Sequence, residues 1–173
     1  MKKDILLTEQ QLWDLLSNFF KGLLGGEKED EESQVLNKSN VKNEDFYKKF
    51  LQKLGAPVTD ENLKFLFAWR QSEGKAGKFN PFNTTQSMPG ATNFNSVGVK
   101  NYKNQEDGLE ATYKTLTNGR YGCIVNGLKN NIGAKNISTK CMNELKVWGT
   151  GDLIAKVISG YDKGAPPNVK DLA

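Results

Sequence analysis

Glu73 closes the run Ala68-Trp69-Arg70-Gln71-Ser72-Glu73-Gly74 and is the residue of this chain best placed to handle a proton. Residues 60 to 73 read as a helix, with Thr59 or Asp60 capping its first turn and Gly74 as a C-cap. Its apolar residues Leu63, Phe65, Leu66, Phe67, Ala68 and Trp69 fall on more than one face, which predicts a helix buried nearly all round. A carboxylate in the last turn meets the negative end of the helix macrodipole. Burial against aromatic rings acts in the same direction, so both effects favour the neutral acid. A carboxyl that keeps its proton near neutral pH is what a general acid needs to release a glycosidic oxygen. Position alone favours the plainer reading, a solvated helix-end carboxylate. The residues that follow shift that balance.

After Glu73 come Asn80-Pro81-Phe82-Asn83-Thr84-Thr85, Pro89-Gly90-Ala91-Thr92 and Asn95-Ser96-Val97-Gly98-Val99-Lys100-Asn101-Tyr102, with no Asp or Glu between residues 74 and 105. Neutral hydrogen-bonding groups interleaved with rings suit a neutral polyol such as a sugar chain. Stretches rich in Asn, Gly and Thr are also ordinary turns. The chain has no histidine. That removes Ser-His-Asp and Cys-His nucleophilic machinery and the usual histidine-bearing zinc hydrolase site. Chemistry here must run on carboxylates, hydroxyls, amides or lysines, and neither a metal nor a cofactor is expected. Glycosidases normally pair an acid with a second carboxylate. The nearest downstream acids, Glu106 and Asp107, read instead as first-turn residues of a helix.

The elements that must hold these residues divide the chain into three parts. Residues 1–26 form an amphipathic helix, with a Thr8/Gln11 capping box, an apolar stripe of Leu12, Leu15, Leu16, Phe19, Phe20 and Leu23, and Gly25-Gly26 as its stop. Its polar face is not basic, so docking on a protein is favoured over an anionic membrane, with packing on its own domain as the plainer alternative. Residues 27–42 open with Glu27-Lys28-Glu29-Asp30-Glu31-Glu32, a solvated acidic linker. Residues 43–173 are the globular domain. It is mostly α, in the α+β sense, with helices over 44–54, 60–73, 105–117, 121–129, 138–147 and 152–159. Asn104 caps the third of these, and an irregular region over 75–103 holds at most a small hairpin with extended pieces such as Ser96-Val97-Gly98-Val99.

No run approaches the roughly 18 to 20 apolar residues of a membrane span. The opening Met1-Lys2-Lys3-Asp4-Ile5-Leu6-Leu7 is not a secretory signal, which predicts a product made in the cytoplasm and carried out by other means. Cys123 and Cys141 are the only cysteines, and without a signal they read as buried free thiols rather than a bridge. The 24 Lys and Arg against 20 Asp and Glu split unevenly. Residues 1–42 hold 6 and 8, a net of −2, which leaves 18 and 12 for residues 43–173, a net of +6. A basic domain is drawn to polyanionic surfaces, and Lys75, Lys78, Lys100 and Lys103 fall close in sequence to the proposed cleft. The basic residues are scattered and form no nucleic-acid motif, so no nucleic-acid partner is expected.

The run from Trp69 to Tyr121 resembles the lysozyme-like domain of phage-encoded, virion-associated muralytic proteins, akin to soluble lytic transglycosylases and goose-type lysozymes. The likeness rests on Glu73 at a buried helix end, Asn80-Pro81, the Gly98 segment, Tyr102 and the helix opening at Glu106-Asp107-Gly108. The resemblance implies a lysozyme-like domain over 43–173 with a small irregular β lobe. It implies Glu73 as the catalytic residue and Thr84, Thr85, Asn95, Ser96 and Tyr102 as substrate contacts. It further implies a peptidoglycan glycan strand as substrate, cut at the MurNAc-GlcNAc linkage, and a virion-associated protein acting on the cell wall, with other virion proteins met through the N-terminal helix. Two features depart from the family pattern. Gly98-Val99-Lys100-Asn101 replaces the family's Gly-Leu-Met-Gln type segment, and the later Tyr-Asn motif has no clear counterpart, Tyr161 and Trp148 being the two positions that could stand for it. With a single acid, the route is a lytic transglycosylase using the sugar's 6-hydroxyl, or an inverting muramidase with a water held by Thr84 or Thr85. The alternative is a non-catalytic virion structural or cargo protein that keeps the domain for wall binding.

Overall fold

A computed structural model describes residues 44–163. The N-terminal helix and acidic linker expected over 1–42 lie outside the described residues. Those described form seven helices and one two-stranded antiparallel sheet. Helix α1 spans 44–54 and buries Phe46, Tyr47, Phe50, Leu51 and Leu54, a stripe at helical spacing. Gly55 then turns the chain with φ of 73°.

Helix α2, Asp60–Ser72, is the axis of the domain. Thr59 caps it by accepting from the Asn62 backbone N–H, and acidic Asp60 and Glu61 occupy the first turn, where the helix dipole favours them. From Asn62 onward none of its residues is fully exposed, as its many-sided apolar pattern predicts. Phe65, Leu66, Ala68 and Trp69 enter a core shared with Tyr47, Phe50 and Phe82. Glu73 is the C-cap, and Gly74 follows with φ of 64°.

Strands β1 (Thr92–Asn93) and β2 (Lys100–Asn101) pair as Thr92 with Asn101 and Asn93 with Lys100. The expected extended piece Ser96-Val97-Gly98-Val99 is not a strand: it is the turn of this hairpin. Phe94 N–H donates to the Val99 carbonyl, Asn95 Oδ1 accepts from Val99 N–H, and Gly98 has φ of 93°, a backbone an L side chain rarely takes.

Helix α3, Gln105–Leu116, starts at Asn104, whose side chain accepts from Asp107 N–H, and carries Glu106 and Asp107 in its first turn. Gly108 lets α3 press against the preceding loop, because a Cβ there would lie 1.8 Å from the Phe79 carbonyl oxygen. Gly108→Ala is therefore expected to lower stability by about 1–3 kcal/mol in a chemical melt, as overpacking against backbone does. Helices α4 (Gly122–Lys129), α5 (Ala134–Lys140), α6 (Met142–Trp148) and α7 (Leu153–Asp162) complete the order, with α2 resting on α5 and α7. The single helix expected over 138–147 is two, parted at Cys141, whose backbone leaves helical values (φ −98°, ψ 21°).

Of the four helix starts that lack a capping side chain of their own, α4 and α5 borrow a distant carboxylate. Glu144 accepts from Cys123 N–H at 2.8 Å and Ile124 N–H at 2.9 Å at the head of α4, and Glu61 accepts from Ala134 N–H at 2.8 Å at the head of α5. Each anion meets the positive end of a helix dipole. The cysteines correct the free-thiol expectation: Cys123 and Cys141 are joined, with Cα atoms 5.4 Å apart. Local redox logic misjudged them, because the partners are brought together by the packing of α4 on α5, at whose end Cys141 sits, rather than by sequence proximity.

Candidate active site

The segment after α2 folds back under Glu73 through two asparagines. Asn80, nearly fully buried, donates from Nδ2 to the Thr84 and Lys100 carbonyls at 2.9 and 2.7 Å, and its Oδ1 accepts from Thr84 N–H at 2.9 Å. Asn83 sits at φ of 52° and donates to the backbone carbonyls of Glu73 and Lys75 at 3.3 and 3.0 Å, while accepting from Gly77 N–H. Phe82, between them, is wholly buried and meets Trp69 at 5.1 Å between ring centroids. Arg70, also buried, donates to the Gly74 carbonyl at 2.7 Å and pins the turn from below. These bonds fix the backbone on both sides of Glu73.

A cleft of about 440 Å³ opens here. It is lined by Glu73, Asn83, Thr84, Thr85, Asn95, Val97 and Val99 from the segments after α2, and by Thr115, Tyr121, Val147 and Trp148 from α3, the head of α4 and α6. Glu73 is the only Asp or Glu in this lining. Burial raises its pKa from 4.5 to about 7. The Asn83 amide, the Trp69 and Trp148 indole N–H groups and the Arg70 charge pull the other way without cancelling it. Trp69 Nε1 donates to Glu73 Oε1 at 3.1 Å, and the helix terminus adds to the effect of burial. The result is a carboxyl poised to give or take a proton near neutrality. Trp69→Phe removes a donor that favours the anion, so the alkaline limb of any activity carried by Glu73 as an acid is expected to move to higher pH in a pH–rate profile.

The sequence-derived contacts divide. Thr84, Thr85 and Asn95 line the cleft with Glu73. Ser96 and Tyr102 do not. Ser96 is exposed in the hairpin turn, and Tyr102 is buried, its hydroxyl donating to the Gln86 carbonyl at 2.7 Å. An aromatic following an Asn-rich strand has the composition of a sugar platform, but here the ring completes the core and only its hydroxyl finds a polar partner. Of the two stand-ins for the absent motif, Trp148 lines the cleft, and Tyr161 donates to Gln71 Oε1 at 2.6 Å outside that lining.

Sequence reasoning missed Asn83, Thr115, Tyr121 and Val147 as site residues. Thr115 touches Thr84 hydroxyl to hydroxyl while donating to the Ala111 carbonyl, so Thr84 is the donor between the two threonines. Trp148 is held by Nε1 donation to the Phe82 carbonyl at 3.1 Å and by edge contacts with Trp69 and Tyr121 at 4.8 and 5.1 Å. Lys75, Lys78, Lys100 and Lys103 stay outside the lining. Among the described residues no group of three or more His, Cys, Asp or Glu could hold a metal ion, and no helix is long and apolar enough to cross a membrane.

Compared with known protein families, curated proteins and solved structures, the chain matches none.

Proposed function

We propose that this protein is a glycosidase of peptidoglycan that cuts the MurNAc-GlcNAc linkage with Glu73 as its one catalytic acid. The observation that carries the reading is a single carboxyl, raised to about 7, in a cleft otherwise lined by hydroxyls, amides, rings and three valines. Thr85 and Asn95 supply hydrogen bonds to sugar hydroxyls, Asn83 and Thr84 hold the backbone and the Thr115 hydroxyl behind them, and Trp148 and Tyr121 supply faces on which a ring can stack. The resemblance of the Trp69–Tyr121 run to virion-associated muralytic domains supports the same substrate and a role in carrying phage contents across the wall. The Cys123–Cys141 bridge supports a working place outside a reducing cytoplasm.

Glu73 protonates the leaving oxygen, and the resulting carboxylate then acts as base. With no second Asp or Glu in the lining, the base is best used on the substrate's own 6-hydroxyl, which closes a 1,6-anhydro ring; this is the lytic transglycosylase outcome. A water held against Thr84 or Thr85 would give a reducing end instead. Mass spectrometry of the products from purified peptidoglycan tests both levels: anhydro ends support transglycosylation, reducing ends a muramidase, and no released muropeptide overturns the enzyme.

A further inference from the structure

Asn83 holds a backbone conformation that side chains avoid. Its φ is 52°, and it is the one non-glycine residue at positive φ in the cleft lining. Among the described residues eight glycines take that region, Gly74 beside Glu73 included. A glycine at 83 would make the same turn without strain, so a side chain is kept here for what the side chain does. Asparagine tolerates this region better than most residues, which makes it the least strained way to put an amide at this point.

The amide works mainly on the chain around it. Oδ1 accepts from Gly77 N–H at 3.2 Å, and Nδ2 donates to the Lys75 carbonyl at 3.0 Å. The second Nδ2 hydrogen is held less well: its bond to the Glu73 carbonyl is 3.3 Å, beyond the usual range for an N–H donor. The same amide also reaches the Glu73 carboxyl, where it is the strongest of the groups favouring the anion. One loosely held hydrogen thus has two acceptors on a single residue, a main-chain oxygen of fixed charge and a carboxyl whose charge changes. An ionised carboxylate is the stronger acceptor of the two. Around that carboxyl, Trp69 Nε1 donates to Oε1 at 3.1 Å, and Trp148 shares its one N–H with the Phe82 carbonyl. Arg70 on α2 brings the nearby positive charge, and Tyr121 at the head of α4 is the other titratable group of the lining. From α3 and α6 the lining receives Thr115, Val147 and Trp148, none of which titrates.

We infer that Asn83 is a positioning residue for Glu73, its amide moving a hydrogen bond from the Glu73 main chain to the Glu73 carboxylate once the proton has left. The kinetic half of this inference rests on the glycosidase reading. There the carboxyl hands its proton to the leaving oxygen, and the Asn83 N–H steadies the anion that remains. When the carboxylate takes the 6-hydroxyl proton, the N–H returns to the main chain. No proton passes through the amide itself.

Asn83→Gly tests the assignment, because glycine accepts a φ of 52° and lacks the amide. The Glu73 carboxyl is titrated directly, by carbon-13 NMR of the full-length protein without substrate. Loss of a donor to the anion is expected to raise the midpoint by roughly one pH unit, the scale of one hydrogen bond. If Asn83 served only to keep the turn closed, its removal would let water reach the carboxyl and the midpoint would fall towards 4.5. A fall, or no change, overturns the inference. Asn83→Asp is the second variant: it keeps an acceptor for Gly77 N–H, loses both donors and adds a like charge, so its midpoint should also rise. A midpoint in Asn83→Asp no higher than the wild type counts against the inference in the same way. On peptidoglycan, Asn83→Gly should lower kcat by up to about tenfold with KM unchanged, and its alkaline limb should move up with the titration. A raised KM with kcat unaltered overturns positioning in favour of substrate contact. If the wild type releases no muropeptide, the glycosidase reading falls and the NMR midpoints alone decide the role of Asn83.

Discussion

Glu73→Gln is expected to lower muropeptide release by about 10²–10⁴-fold, the usual contribution of a positioned general acid, with the fold preserved. The amide keeps an acceptor for Trp69 Nε1, 3.1 Å away in the wild type, so the local bond survives while the proton is lost. Stability should move in the opposite sense. The carboxyl titrates near 7 in the folded protein against 4.5 ordinarily, so the native state holds this proton more tightly than the unfolded chain. Stability from that proton is fully present below pH 4.5 and is lost as pH rises through 7. The gap of 7 − 4.5 corresponds to roughly 3 kcal/mol. Denaturant melts of Glu73→Gln should accordingly match the wild type at pH 4 and exceed it by up to about 3 kcal/mol at pH 8. The wild-type pH–rate profile should fall by about tenfold per pH unit above 7 as the acid form disappears. Full activity of Glu73→Gln on peptidoglycan would sink the assignment.

Reduction of Cys123–Cys141 carries the second large effect. The bridge closes a loop with a sequence separation of 18, and loss of a cross-link of that size costs about 3 kcal/mol through the freedom it restores to the unfolded chain. For a domain of this size that is a fall in Tm of about 10 °C, measurable by calorimetry with and without a thiol reductant. Cys123→Ser with Cys141→Ser should show the same drop and no further response to reductant. An unchanged Tm in both experiments would mean that the α4–α6 contact, held also by Glu144, does not depend on the bridge.

What the sequence revealed and what it hid follow from the range of the forces involved. Thr59, Gly74 and Asn104 act on their own neighbours, so the helices they bound could be read directly from residue order. Glu73 was legible for the same reason, because a helix end, a glycine and an aromatic neighbour at i−4 are all local. Helices α5 and α6 could not be separated in advance. Their break at Cys141 coincides with a bridge to a helix 18 residues earlier, which no propensity encodes. Tyr121 was hidden as a lining residue, and Trp148 was read only as one of two stand-ins for an absent motif. Trp148 and Tyr121 sit on helix ends where an aromatic ordinarily fills a core, and both touch the core as well as the groove. Tyr102, which the family resemblance implied as a substrate contact, is buried with its hydroxyl on the Gln86 carbonyl and lies outside the cleft lining.

The groove has contributors spaced from Glu73 to Trp148, and Trp148 is tied back to the segment after α2 through its bond to the Phe82 carbonyl. No shorter piece of polypeptide can hold it open. An early stop anywhere in that interval removes lining residues rather than trimming an edge, whereas a cut between Cys123 and Cys141 leaves both pieces joined by their bridge. Split halves should be inert singly and regain cutting power only when co-folded.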